Sequence, residues 1–444
     1  MMLWRIHRVK LTTDVAIIGS GIGGLCCAAL LANEGYQVTI LERLPVCGGR
    51  YTSVKYKGFT IPTASWMLLY GKDDPVYQTL SEVGANEIEM RTAGTPMAKY
   101  RIGGKIYDWP ENGALKYLLS IACEDAEEVS RVMTAIGQAM SQIPSNETTF
   151  NDWLLQYSQN EWIHDVFQAQ ITTWCGMNSN ELPAGEFLRT LLSFQGKDEF
   201  QIPRNGLKDI IDAFEKSIKD NGGRILNFTT VEEIIVENGQ VRGITAQKDS
   251  RIELEAKIVI SNVGPRKTIE LAGTDSFGSE YLNLVSERIK PTVGMDYLFT
   301  TNKPLLDFPG TLYTPDTRRK VSWSVPTMMW PEHAQGGKHL LHGFAVPEST
   351  LDYDPAVEQE VFMQDLIDVF PDFNEYGGEL LLRRNFCGEW PCTRSWQGYD
   401  IEQETPIRNL YNVGDGVKPQ GWIVGAGAAE SGRMVAKRIM EESS

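Results

Sequence analysis

Gly19, Gly21 and Gly24 stand in the spacing G-x-G-x-x-G, with Ser20 between the first two and the acid Glu42 further on. Such a set can hold a dinucleotide. The first glycine permits a tight turn, the second lets the backbone approach a pyrophosphate, and the third lets a helix lie close on a strand. The free N–H groups at a helix start carry partial positive charge toward that anion. A carboxylate at Glu42 accepts hydrogen bonds from ribose hydroxyls and disfavours a 2′-phosphate.

The surrounding residues predict the elements needed to position this set. "DVAIIG" from Asp14 is a short apolar run ended by glycine, as a buried parallel strand reads. "SGIGGLCCAALLANEG" is helical in composition, with Gly35 as its C-cap. "YQVTILE" is a second β-branched run. Strand, glycine turn, helix and strand make a βαβ unit. Their agreement with Glu42 raises a bare glycine pattern to a dinucleotide site; the alternative is a nucleotide-binding fold without its ligand.

The 444 residues suffice for two domains or one interleaved unit, and 42% hydrophobic content provides for a large core. With 42 basic against 58 acidic residues, the net charge of −16 argues against a nucleic-acid partner. It also gives no attraction to anionic lipid, although peripheral membrane contact stays open. Seven cysteines without a C-x-x-C pair imply no disulfide framework, so a reducing, cytoplasmic setting is expected. Cys26 and Cys27 read as apolar filler inside the first helix. The first ten residues are no convincing signal peptide, and no run approaches the ~20 apolar residues of a membrane span.

After Glu42 and Arg43 comes "LPVCGGRYTS", with Gly48, Gly49 and Arg50. Here the sequence resembles the flavoprotein superfamily of phytoene desaturases and monoamine oxidases, whose fingerprint carries G-G-R beyond the ribose-binding acid. The resemblance implies FAD, with Gly49 turning beneath the pyrophosphate and Arg50 offering it a guanidinium. It continues through "QIPRNGLKDIIDAFEKSIKDNGGRI" and through "TTVEEIIVENGQVRGITAQ", a predicted hairpin turning at Asn238-Gly239. Val231 lies where the family holds the adenine through backbone bonds. "AKIVISNVGPRKTIELAG" resembles the strand that returns to the nucleotide domain. In "NLYNVGDGVKPQGWIVGAGAAESGRMVAKRI", Gly414 and Asp415 match the ribityl-phosphate region. A helix starting near Val424 and Gly425 would face the flavin pyrimidine. No acid-ended strand follows Gly425-x-Gly427, so no second dinucleotide site is read there.

One segment departs from the family. Where an Asp and a Gly often follow G-G-R, "GFTIPTASWMLL" has Pro62 and Ala64. Ala64, Ser65 and Trp66 are still expected to approach the isoalloxazine through backbone, but the detailed active-site geometry is left open.

The expected fold is α/β, a Rossmann-like FAD-binding βαβ domain interleaved with an α+β substrate domain. The first is placed at 1–95, 200–285 and 400–444, the second at 96–199 and 286–399. Residues 112–170 read as helical and 291–346 as strands, with "HLLHGFAV" a buried one. The tryptophans Trp153, Trp162, Trp174, Trp323, Trp330, Trp390 and Trp396 are mostly core, with a few lining a pocket. Trp422 either faces the ring or packs. Tyr399 and Asp400 are acid–base candidates, with a surface loop as the alternative. The lysine of the amine oxidase branch is not identified; Lys320 and Lys338 sit in the strand region where it would lie, but read as solvated surface charges. His333, His339 and His342 fit no zinc spacing, and no metal is expected.

These readings point to an FAD-dependent oxidoreductase, a desaturase or dehydrogenase acting on a small apolar or alicyclic substrate. A flavin amine oxidase is the alternative. A non-catalytic lipid-binding protein of the GDP-dissociation-inhibitor type is a third, opposed by the intact G-G-R and Gly-Asp segments. The oligomeric state is open.

Overall fold

The apolar run ending at Ile18 forms strand β1 (Arg8–Ile18), followed by helix α1 (Ile22–Asn33) and strand β2 (Val38–Leu41). The computed structural model describes residues 8–94, 96–110, 112–195, 200–350, 352–386 and 395–443, so Trp390 lies outside the described residues. Val15, Ala16 and Ile17 are fully buried, as their unbroken hydrophobicity requires of a central parallel strand. Every residue of α1 from Ile22 to Ala32 is buried. A helix apolar all round needs cover on all sides. The sheet supplies one side, and the helices Lys208–Asp220 and Val424–Ser443 supply others.

β1 pairs in parallel with β2 and with the strand Arg251–Ser261, and β2 pairs in parallel with Arg224–Leu226. Arg251–Ser261 is flanked along its first half by the hairpin Thr230–Glu237 and Gln240–Gln247, and along its last three residues by the parallel strand Leu410–Asn412. Asn238 and Gly239 both have positive φ, +52° and +70°, as a two-residue hairpin turn demands. The far face is covered by the helices Pro265–Ala272 and Ser279–Arg288, through Ile269, Tyr281 and Val285.

The second sheet runs in the order Glu379–Phe386, Gly294–Thr301, His339–Ala345, Ser322–Ser324, Thr311–Tyr313, Ala98–Ile102, Lys105–Asp108. On one face Tyr297, Phe299 and Trp323 pack against Phe362 and Leu366 of the helix Pro355–Val369. On the other, Leu298 and Leu340 meet Phe59 and Ile61 of the short hairpin Ser53–Tyr56 and Phe59–Pro62. Helices between Ala114 and Phe194 form a cluster around Phe150, Phe167 and Phe187. Trp323 and Trp330 are fully buried, whereas Trp162 is 38% exposed. Among the described residues no helix is long and apolar enough to cross a membrane.

Candidate active site

β1, β2, Arg251–Ser261 and Leu410–Asn412 all end at one edge of the first sheet. Gly19, Glu42 and Asn262 follow three of these ends directly, and Gly414 follows the fourth one residue later. Ligands of open parallel sheets bind outside such carboxyl ends. Gly19, at φ +87°, turns the chain there, and its N–H donates to the Leu41 carbonyl at 2.9 Å. The Gly48 N–H donates to the Ser20 carbonyl at 2.9 Å, which lays the G-G-R turn, with Gly49 and Arg50, along the glycine loop. A Cβ at Gly21 would stand 2.2 Å from Asn262 Nδ2. Asn262 Oδ1 accepts the Gly24 N–H at 3.2 Å. The first turn of α1 carries no acidic side chain.

Glu42 is buried. Its Oε2 accepts the Ser20 N–H at 2.9 Å and the Ser20 hydroxyl at 2.6 Å, and its Oε1 accepts the Leu44 N–H at 2.9 Å. The Glu42 carbonyl accepts the Thr229 N–H at 2.8 Å, which sets Val231 two residues along the same edge. Arg43 is exposed beside it. A glycine loop whose Ser20 side chain is turned to Glu42, a helix N-terminus and a fixed carboxylate together suit a diphosphate joined to a ribose.

A chain of charges leads away from this cradle. Arg50 Nη2 meets Asp415 Oδ2 at 2.7 Å, Asp415 Oδ1 meets Lys418 Nζ at 2.7 Å, and Lys418 Nζ meets Asp400 Oδ1 at 2.8 Å. The Lys418 ammonium is buried. Burial alone would lower its pKa, but Asp400 and Asp415 outweigh that and hold it above the ordinary lysine value.

Pro62–Trp66 hangs from the G-G-R turn, since the Ser65 N–H donates to the Arg50 carbonyl at 3.2 Å. Ala64, Ser65 and Trp66 are half-exposed. Val424 opens the last helix with φ +38°, an unusual conformation for a β-branched residue. Just before it, half-buried Trp422 lies edge-on to Tyr70, ring centroids 5.0 Å apart. The Trp422 carbonyl accepts from Gln397 Nε2 at 2.9 Å, and Gln397 also donates to Glu186. Glu186, fully buried, accepts the Gly421 N–H at 2.9 Å, and burial pushes its carboxyl above the usual carboxylate range.

The description of flavin containing amine oxidoreductases matches residues 22–440. The chain belongs to this family. It is an FAD-dependent oxidoreductase. The crystal structure of an oxidoreductase from Methanosarcina mazei superimposes with a TM-score of 0.86 at 29% identity, over 96% of this chain and 100% of that one. A 4,4′-diapophytoene desaturase of a Methylomonas species is 24% identical over 56% of this chain, but spans only 53% of its own length. A putrescine oxidase with putrescine bound shares the fold, with a TM-score of 0.74 at 15% identity over 97% of this chain and 100% of that one.

Within this family fold, Tyr399 and Asp400 diverge. Asp400 joins the Lys418 pair, while the Tyr399 hydroxyl donates to the Glu181 carbonyl at 3.2 Å and burial raises its pKa. Lys320 pairs with Asp165 at 2.9 Å and Lys338 with Glu379 at 3.8 Å. The three histidines separate: His333 contacts the Arg204 carbonyl, His339 contacts Thr327, and His342 contacts Asp296 at 2.9 Å. Sequence reading missed Asn262, Lys418, Glu186 and the Asp296–His342 pair. The available signals were a polar residue closing the buried run "AKIVIS", an acid three residues before Lys418, and Asp296 and His342 inside the apolar runs "GMDYLFTT" and "HLLHGFA".

Proposed function

We propose that this enzyme removes a hydride from a carbon of an apolar or alicyclic substrate and leaves a C=C bond. The observation that carries this reading is the aromatic wall behind Trp422. Tyr70 touches Trp422 and stacks on Phe194 at 4.5 Å, and Phe194 in turn contacts Trp174 at 4.8 Å. Trp174 Nε1 is spent on Tyr313 Oη at 2.9 Å, so the wall offers an apolar body rather than free donors. The match to a named diapophytoene desaturase supports the same reading.

Bound FAD supplies the hydride acceptor. In this proposal Gly19, Ser20, Gly21, Gly24, Gly49 and Arg50 hold its diphosphate, Glu42 and Arg43 its ribose side, and Val231 its adenine. Gly414 and Asp415 border the ribityl-phosphate region, and Ala64, Ser65, Trp66 and Val424 border the ring. Glu186 and Gln397 fix the Gly421–Trp422 backbone, which keeps the aromatic wall in place and water out.

The test is anaerobic mixing of the yellow protein with 4,4′-diapophytoene in detergent micelles and, separately, with primary alkylamines. Bleaching of the flavin by the hydrocarbon and not by the amines is expected. Bleaching by amines alone would replace the desaturase reading with amine oxidation.

A further inference from the structure

Strand register puts an ionisable cluster on one face of the second sheet. Asp296 pairs with Phe344 and with Arg384, while His342 pairs with Leu298 and with Ser324. Directly paired residues and those two apart share a face, so Asp296, His342, Ser324 and Arg384 all project the same way. It is the face whose Leu298 and Leu340 touch Phe59 and Ile61. His342 also meets the half-exposed Trp66 edge-on, ring centroids 6.3 Å apart. The cluster therefore looks at the 59–66 segment, which is tied to Arg50.

Its internal bonding fixes the imidazole. Arg384 Nη2 meets Asp296 Oδ2 at 2.7 Å, and Arg384 Nη1 donates to the Pro62 and Thr63 carbonyls. Asp296 is buried, which alone would raise its pKa, but Arg384 and His342 together hold it below the ordinary value. An ionised Asp296 can only accept from His342, so the 2.9 Å contact puts the ring proton on Nε2. Nδ1 faces Ser324 Oγ at a long 3.5 Å. Arg384 already balances Asp296, so the ion pair does not need the histidine.

We propose that His342 is the proton acceptor of this active site, with Asp296 and Arg384 as positioning residues. The inference rests on the reading that a substrate is oxidised by hydride loss. One substrate C–H bond breaks and leaves its electron pair with the departing hydride, which reduces FAD. A second breaks to give its proton to His342 Nδ1, and its electron pair becomes the new π bond. Asp296 keeps its hydrogen bond to Nε2 of the resulting imidazolium.

The test uses FAD-loaded protein with ¹⁵N-labelled histidine, the His342 signals being assigned by their loss in His342→Gln. The Nε2–H tautomer is expected, with ring shifts that move when dithionite reduces the flavin while those of His164 stay. Bleaching by 4,4′-diapophytoene in micelles should fall about 10²–10⁴-fold in His342→Gln at unchanged FAD content. An Nδ1–H tautomer, shifts blind to flavin reduction, or unaltered bleaching in His342→Gln overturns the inference and leaves the FAD reading intact. A wild-type chain that takes up no FAD, or is bleached by neither hydrocarbon nor amine, overturns both.

Discussion

Gly432 of the last helix rests on Gly23 of α1 so closely that a Cβ at Gly432 would stand 2.1 Å from the Gly23 carbonyl oxygen. The two backbones touch, and the contact sets where the first turn of α1 points. Gly432→Ala is expected to lower stability by about 1–3 kcal/mol through overpacking. FAD retention should fall with it. Gly137→Ala, in an exposed helical position with nothing within 4 Å, should instead stabilise by about 0.5–1 kcal/mol. Thermal melts and bound-flavin absorbance read both.

Asn262→Asp separates charge from shape. The carboxylate can still accept the Gly24 N–H that Asn262 Oδ1 accepts at 3.2 Å. It would place a negative charge against the diphosphate, however. We expect an unchanged melting temperature in the absence of FAD and a loss of FAD affinity of roughly tenfold or more, or 1.4 kcal/mol. Titration of apoprotein with FAD measures it.

Lys418→Met strands Asp400 and leaves Asp415 to Arg50. Asp400 and Asp415 both lean on the same buried ammonium, at 2.8 Å and 2.7 Å. Removing one partner of a buried pair costs about 3–5 kcal/mol. Denaturant unfolding should show that loss, and adding Asp400→Asn to the variant should recover part of it.

Asp74 gives a pH signature. It caps the helix Pro75–Glu82, Oδ1 accepting the Val76 N–H at 2.9 Å, and burial raises its pKa to about 6. Between the ordinary value of 3.8 and about 6, the folded chain keeps a proton that the unfolded chain releases. That contribution to stability is full below the lower value and is lost as pH rises through the upper one. Asp74→Asn keeps an N-cap and cannot ionise. Its stability relative to wild type should rise between about pH 4 and pH 7, by at most roughly 3 kcal/mol. Urea titrations at the two pH values test the sign.

The parts legible in the sequence were local. The α1 glycine spacing, the β-branched strands around it and the Asn238-Gly239 turn each follow from neighbouring residues. The illegible parts depend on long-range pairing. Asn262 acts on Gly24 across 238 positions, and the Asp296–His342 contact exists only through strand register. Tyr399 and Asp400 stand as candidates in the sequence because they lie shortly before the FAD-binding end of the chain. That position says nothing about side-chain direction, and the two side chains engage partners as different as Glu181 and Lys418. Lys418 was hidden because an isolated lysine reads as solvated until its two carboxylates are located.

The edge formed by the ends of β1, β2, Arg251–Ser261 and Leu410–Asn412 also has a temporal meaning. A growing chain carries the glycine loop early, but lacks Asn262 and then Gly414 until most of the polypeptide has left the ribosome. Pairings of such sequence separation close late and slowly. Cofactor capture must therefore be among the final events of maturation, and a stalled or shortened chain would lack both the cover of α1 and a grip on its flavin.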